Sequence, residues 1–261
     1  MTLRDAFAAS MPVLGTDFKK QPLLEARLRL AVGVTFCHLA EYEQARGQFE
    51  RARALSTRHH GPDHPETLRN IHNLASAYLA VAASQAWVGQ HEELAATCRK
   101  ALALAQDTKD AALADKAAKV CSLRPSDDAT HQAALVLARR AVEIGAGHPY
   151  LAYFQMALGM AEYRSGHDPQ ADAALLKASK QRAGKPHVTG TAAFYRAMTL
   201  FRQGQAAEAR KLAAEAVATL KPLPDENTPL PADADDVILW LAYKEAKALI
   251  GFEATPPPAK K

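Results

Sequence analysis

The residues best suited to do chemistry in this chain are four histidines close together in the sequence. His59, His60 and His64 fall within six residues, and His72 follows about two helical turns later. Imidazole nitrogens bind zinc, but no cysteine or close carboxylate completes a tetrahedral set of donors in this stretch. The alternative is a structural turn in which His64 and Pro65 open a helix. We favour the turn and predict no metal site.

No pattern of nucleophile, base and orienting acid points to catalysis. The G-x-S-x-G sequence that exposes a nucleophilic serine is missing. The acidic pairs Asp127-Asp128 and Asp235-Asp236 precede helical patterns, where carboxylates cap backbone N–H groups and complement the helix dipole. The sequence therefore predicts a protein with no catalytic residues and no cofactor, rather than an enzyme.

Charge and cysteine content exclude several further classes of protein. The net charge is +4, from 32 basic and 28 acidic residues, which is too balanced to indicate nucleic-acid binding. Cys37, Cys98 and Cys121 lie far apart in apolar helical patterns, which predicts buried free thiols. Residues 1–20 lack the apolar core of a signal peptide, and no apolar run approaches the length of about 18 residues that suggests a membrane helix. We expect a cytoplasmic protein without a membrane partner.

A ladder of small and apolar residues predicts the elements that position these side chains. Hydrophobic residues make up 48% of the chain and are mainly alanine and leucine, which favours closely packed helices. Val32 precedes Ala45 by thirteen residues, Phe49 follows four later and Ala52 three after that. The same spacings recur at Leu158, Ala171, Leu175 and Ala178, and Ala197-Met198 is followed by a similar set, Ala209, Ala213 and Ala216. This pattern predicts repeated helix pairs.

The spacing of the repeats predicts two irregularities. The positions Val32, Leu74, Leu158 and Ala197 are 42, 84 and 39 residues apart, so one degenerate pair should lie between the second and the third of these positions. Its two helices should be residues 110–123 and 127–144. In the second pair the turn glycine is delayed by seven residues, to Gly89. This insertion predicts one long helix from Pro65 to about Val88 that carries Trp87 beyond the ordinary end of the pair.

The ladder resembles the tetratricopeptide repeat (TPR), a helix–turn–helix unit that stacks into a superhelix. The stretch GPDHPETLRNIHNLASAYL is similar to the TPRs of kinesin light chains. The whole chain resembles the C-terminal TPR region of multidomain bacterial serine/threonine protein kinases, in FKKQPLLEARLRLAVG, LAATCRKALALAQDTKDAALADKAAKVCSLRP, MALGMAEYRSG, FYRAMTLFRQGQAAEARKLA and DDVILWLAYKEAKALI. None of the kinase catalytic motifs is present, so the resemblance implies kinase-linked sensing or docking, without kinase activity.

The predicted fold is all-α, a right-handed α-solenoid of about five TPR helix pairs with an N-terminal helix and a C-terminal capping helix. The expected division is an N-terminal helix and linker (1–22), the TPR array (23–220), a Pro-rich linker (221–232), the capping helix (233–252) and a disordered tail (253–261). A final helix commonly covers the apolar edge of a repeat array.

The resemblance also implies a ligand-binding surface. In TPR proteins the first, inner helix of each pair lines a concave groove, and an asparagine there holds a peptide backbone, a role that Asn73 matches. Mapped by spacing, the groove residues are Arg27, His38, Arg69, His72, Asn73, Tyr153, Met160, Tyr163, Arg164, Tyr195, Arg196 and Arg202. The set is basic and aromatic, which predicts an extended, acidic peptide or protein as the partner. The alternatives are a solvated surface without a ligand, a structural scaffold that packs through its convex face, and a detached, non-catalytic kinase fragment.

Overall fold

The structure is a computed structural model that describes residues 14–181, 185–218, 220–224 and 233–252. These residues form eleven α-helices, preceded by a helical stretch at 14–17, and the described ranges contain no strand. The helices are α1 (Pro22–His38), α2 (Tyr42–His60), α3 (Pro65–Val88), α4 (His91–Ala105), α5 (Ala111–Ser122), α6 (Asp128–Ile144), α7 (Leu151–Arg164), α8 (Asp168–Gln181), α9 (Pro186–Arg202), α10 (Ala206–Val217) and α11 (Ala234–Ile250). The predicted N-terminal helix, most of the Pro-rich linker and the C-terminal tail lie outside the described residues.

Local sequence signals account for where several helices begin. Pro22 and Pro186 occupy the first turns of α1 and α9, where the missing N–H of proline has no cost. The side chain of Asp110 accepts a hydrogen bond from the Leu113 N–H, and Asp127 accepts one from the Thr130 N–H. These two N-caps fix the starts of α5 and α6, the two helices of the predicted degenerate repeat, and confirm that the repeat exists.

The chain divides into two compact units, with the boundary after Val81, inside α3. In the first unit α1 and α2 form an antiparallel pair, and the ladder residues Ala45, Phe49 and Ala52 are all buried as predicted. A Cβ atom placed on Gly33 of α1 would lie only 2.4 Å from the Phe49 ring. The small residue of the ladder therefore lets the two helices approach closely.

The second unit repeats this construction. The pairs α5/α6, α7/α8 and α9/α10 follow one another, and α11 packs against α9 and α10. The alanines Ala171 and Ala209 are fully buried at the positions equivalent to Ala45. Gly159 of α7 approaches Leu175 of α8 as closely as Gly33 approaches Phe49. The same side-chain ladder thus closes the helix pairs of both units.

The seven-residue insertion lengthens a helix, as the sequence predicts. Helix α3 runs without a break from Pro65 to Val88 and is the longest helix of the described residues, at 24 residues. Its last turns lie in the second unit, where Gln85 accepts a hydrogen bond from Thr97 of α4 at 2.9 Å. Trp87 lies near the end of α3, and its ring packs against Trp240 of α11.

Two of the three cysteines meet, although they are far apart in the sequence. Cys98 of α4 and Cys121 of α5 are buried free thiols, and the Cys121 Sγ lies 3.8 Å from the Cys98 carbonyl oxygen. The interaction with Cys98 and burial together raise the pKa of the Cys121 thiol well above its ordinary value. Cys37 is only half-buried, so the prediction of buried thiols is confirmed for two of the three.

Candidate functional site

The candidate site in the first unit is a small cleft between the inner helices α1 and α3. It is lined by residues of both helices: Ala26, Arg27, Leu30, Glu66, Arg69 and Asn70. Arg27 is held in place by the Glu66 carboxylate, with its Nε 2.9 Å and its Nη2 2.7 Å from Oε1. The hydrogen bond from Arg27 lowers the pKa of Glu66. The Arg27 side chain is nevertheless 64% exposed, so it stays available to a ligand.

Arg69 is the most available cation of this cleft. Its side chain is exposed, and it has no ion-pair partner among the residues that the structure describes. Asn73, one turn further along α3, donates a hydrogen bond from Nδ2 to the Arg69 carbonyl oxygen at 3.0 Å. His72 and Asn73 are half-buried, and His38 is exposed at the end of α1. All five groove residues predicted in the first unit are therefore accessible to solvent.

Arg164 in the second unit has a different environment, and its prediction as a groove residue is wrong. Its side chain is only 3% exposed. It donates hydrogen bonds to the Ser122 and Leu123 carbonyl oxygens at the end of α5, at 2.9 and 3.1 Å, and pairs with Glu245 of α11. A guanidinium whose donors meet internal acceptors in this way joins helices and has little left for a ligand.

Three further predicted groove residues are also part of the interior: Met160, Tyr163 and Tyr195. The Tyr195 hydroxyl donates a hydrogen bond to the Ser122 carbonyl oxygen at 3.2 Å, and burial raises the pKa of this hydroxyl. The Tyr163 ring meets the Tyr195 ring edge to face. The mapping by spacing failed here because it assumed an uncovered inner face, whereas these side chains pack between helices.

Arg196 and Arg202, two further predicted groove residues, each pair with a carboxylate of an outer helix, although Arg202 is also exposed to solvent. Arg196 donates from Nε to Asp172 Oδ1 at 2.7 Å, and Arg202 lies 3.2 Å from Asp168 Oδ2. Both acidic residues belong to α8, the second helix of the preceding pair. The two arginines therefore link successive pairs.

Tyr153 belongs to a polar cluster that the sequence did not reveal. Its hydroxyl is 2.6 Å from His187 Nε2, and its ring lies 5.3 Å from Lys119 Nζ. Lys119 forms a buried ion pair with Asp115 at 2.8 Å on the same helix, and burial raises the pKa of Asp115. An i, i+4 pair on an alanine-rich helix looks like an exposed pair in the sequence, so only packing shows that it is buried.

Helix α11 contacts the inner helices of the second unit along most of its length. Beside the pair between Glu245 and Arg164, Trp240 packs against Trp87 with ring centroids 6.0 Å apart. Lys244 lies over the Trp87 ring at 3.5 Å, and Tyr243 meets Phe194 of α9 edge to face. Beyond its packing on the last pair, α9 and α10, helix α11 reaches the end of α3 through Trp240 and α7 through Glu245, so it does more than the predicted capping helix.

The turn between α2 and α3 brings together possible metal ligands that the sequence did not show as a set. One ring nitrogen of His60, one of His64 and a carboxylate oxygen of Glu66 lie within 4.8 Å of one another. Glu66 lies only two residues after His64, yet the expectation from the sequence was that no carboxylate would complete a set. The other two histidines of the sequence cluster, His59 and His72, are not members of this group.

Repeated antiparallel helix pairs, closed by the same small and large side chains, define an α-helical repeat fold. Residues 24–86 match the family model described as "Tetratricopeptide repeat". The predicted resemblance to TPR proteins is confirmed for residues 24–86, and the all-α fold of helix pairs is confirmed by the structural comparisons.

Among solved structures, the chain is similar to nearly identical TPR-like repeats from a putative kinesin light chain of Podosopora anserina. A variant of those repeats with one substitution aligns with 20% identity and a TM-score of 0.52 over 74% of this chain and 93% of that one, and the form without that substitution has a TM-score of 0.51. A thermophilic TPR protein of Thermus thermophilus aligns with 18% identity and a TM-score of 0.50 over 86% and 100% of the two chains. No curated protein sequence matches the chain.

These comparisons establish the general role of the fold. TPRs generally mediate protein–protein interaction and are generally non-catalytic scaffolds. Within the described ranges, no helix is long and apolar enough to cross a membrane.

Proposed function

We propose that the chain is a non-catalytic interaction module that binds an extended, acidic peptide through the inner face of its first unit. The observation that carries this proposal is the exposed guanidinium of Arg69, which lies in a cleft beside Arg27 and has no carboxylate partner in the described part of the chain. Arg164, Arg196 and Arg202 each have an internal acidic partner, so they offer less to a ligand.

The chemistry of the cleft favours carboxylates or phosphates on an extended chain. Arg69 presents a planar fork of donors that matches such groups. Asn73 lies one turn away, and an asparagine amide can donate to and accept from a peptide backbone at once. Leu68 is 43% exposed beside Arg69 and adds apolar contact area. In this arrangement the peptide would follow α3, with an acidic side chain on Arg69 and its backbone on Asn73.

The test measures binding of fluorescent peptides of equal length and graded negative charge to the wild-type chain. Affinity should rise with peptide charge and fall with added salt, since exposed ion pairs are screened. Arg69→Glu should weaken the best peptide about tenfold, because one favourable charge contact becomes repulsive. Arg210→Glu, an equal change of charge at an exposed site on α10, is the matched control and should leave affinity unchanged. Equal affinities of the Arg69→Glu variant and the wild type would refute the cleft as the binding surface.

A scaffold that binds through outer helices is the second candidate function. Val136 and Ile144 on the outer helix α6 are 55% and 47% exposed and offer apolar contact area to a partner. If this face binds the partner, Val136→Lys should abolish capture of that partner while Arg69→Glu leaves it intact. The opposite result supports the cleft.

The resemblance to kinase-associated TPR regions suggests a partner in a bacterial serine/threonine kinase system. Support for this part of the proposal comes from the sequence segments alone. Its test is the neighbouring coding sequence, where a kinase domain in frame upstream would support the assignment and an unrelated gene would count against it.

A further inference from the structure

We propose that the turn between α2 and α3 binds a zinc ion through His60, His64 and Glu66. His60 is the last residue of α2, His64 lies in the turn immediately before α3, and Glu66 is the second residue of α3, so a seven-residue segment supplies all three side chains. Two imidazole nitrogens and one carboxylate oxygen form a donor set that suits zinc, and a water molecule can complete the tetrahedron. The site shares Glu66 with the cleft, but zinc binding does not depend on the peptide-binding proposal.

Two features of the cluster favour an ion over a simple ion pair. His60 Nε2 is buried and has no hydrogen-bond partner among the described residues, although Glu66 Oε2 lies 3.3 Å away. A buried polar atom without a partner is costly, and coordination would satisfy it. Arg27 binds the other carboxylate oxygen, Oε1, and so orients Oε2 towards His60. Such outer contacts commonly fix the direction of a metal ligand.

The two rings must turn before they can share an ion. They are stacked with centroids 3.9 Å apart and planes inclined by 8°. An imidazole binds a metal along the lone pair in its own plane, so two stacked parallel rings cannot both face one ion. Rotation about the Cβ–Cγ bonds corrects this, and it releases the hydrogen bond of 3.2 Å from the Glu66 N–H to His64 Nδ1. Zinc binding therefore requires the rings to leave the stacked arrangement.

The experiment titrates zinc chloride into the untagged, metal-free chain by calorimetry, with cobalt(II) absorption as a second readout of coordination. The wild type should bind one equivalent of zinc, give the intense visible bands of tetrahedral cobalt, and unfold at a higher temperature with zinc than without it. His60→Ala and His64→Ala should each weaken zinc binding by at least about tenfold. Glu66→Gln tests the carboxylate and should have the same effect.

His59→Ala is the matched control, because His59 is adjacent and exposed but not part of the cluster. It should bind zinc like the wild type. Circular dichroism without zinc verifies that each variant folds, which matters most for Glu66→Gln because this change also removes the partner of Arg27. The proposal is overturned if the wild type binds no zinc, if the cluster variants bind as well as the wild type, or if His59→Ala loses binding as they do.

Discussion

The inner faces of the two units carry similar residues but expose them very differently. In the first unit Arg27 and Arg69 border an accessible cleft. In the second unit Arg164, the last residue of the inner helix α7, is 3% exposed and bound to two backbone carbonyls, a tyrosine and a carboxylate. The difference follows from α11, whose Glu245 neutralises Arg164 and whose aromatic side chains cover the neighbouring surface. A basic residue on an inner helix is thus accessible to a ligand only where nothing internal covers it.

The largest expected effect is on the free energy of unfolding, which should fall far more when Arg164 is replaced than when Arg69 is replaced. Arg164→Met should reduce the free energy of unfolding by about 3–5 kcal/mol, because it leaves Glu245 and the end of α5 without their partner. Arg69→Met should change it by less than about 0.5 kcal/mol, as is usual for an exposed side chain. Urea unfolding followed by circular dichroism measures both. Similar losses for the two variants would show that their environments do not differ.

A second prediction concerns what the two units share. Ala45 and Ala171 are fully buried at the same ladder position, one in each unit. Replacing either with leucine should overpack the pair and cost about 1–3 kcal/mol. Ala54→Leu, at an exposed position of α2, is the control and should have little effect on the thermal midpoint. If Ala45→Leu leaves the midpoint unchanged, the ladder does not define the repeat.

The smallest expected effect lies where α11 covers Trp87. Lys244→Ala removes the cation 3.5 Å from the ring centroid and should cost about 0.5–1 kcal/mol, since the contact is partly exposed. Trp87 and Trp240 are the only tryptophans of the chain, so their fluorescence reports this contact directly. Unchanged emission and unchanged stability together would mean that Lys244 does not help to hold α11.

The sequence predicted the helix pairs well because their packing is encoded by spacing. Val32, Ala45 and Phe49 specify which faces meet within one pair, and the delayed Gly89 specifies the long helix α3. These are local rules, since each depends on residues within about forty positions. The N-caps at Asp110 and Asp127 are equally local and equally predictable.

The exposure of the predicted groove residues could be predicted only in part, because it depends on residues that are distant in the sequence. Arg164 and Glu245 are 81 residues apart, and no spacing rule relates them. Asp115 and Lys119 show a similar limit, because whether an i, i+4 pair is exposed depends on the helix that packs over it. In the first unit, by contrast, the predicted residues Arg27 and Arg69 stayed accessible.

The difference between the two inner faces can be measured in the native protein without any substitution. An arginine-selective dicarbonyl reagent, followed by mass spectrometry, gives a modification rate for each arginine. Arg69 should react in the native chain almost as fast as in urea, whereas Arg164 should be protected at least about tenfold, because it reacts only when its helices open. Both should react alike in urea. Equal rates for Arg69 and Arg164 in the native chain would contradict the conclusion that one inner face is open and the other covered.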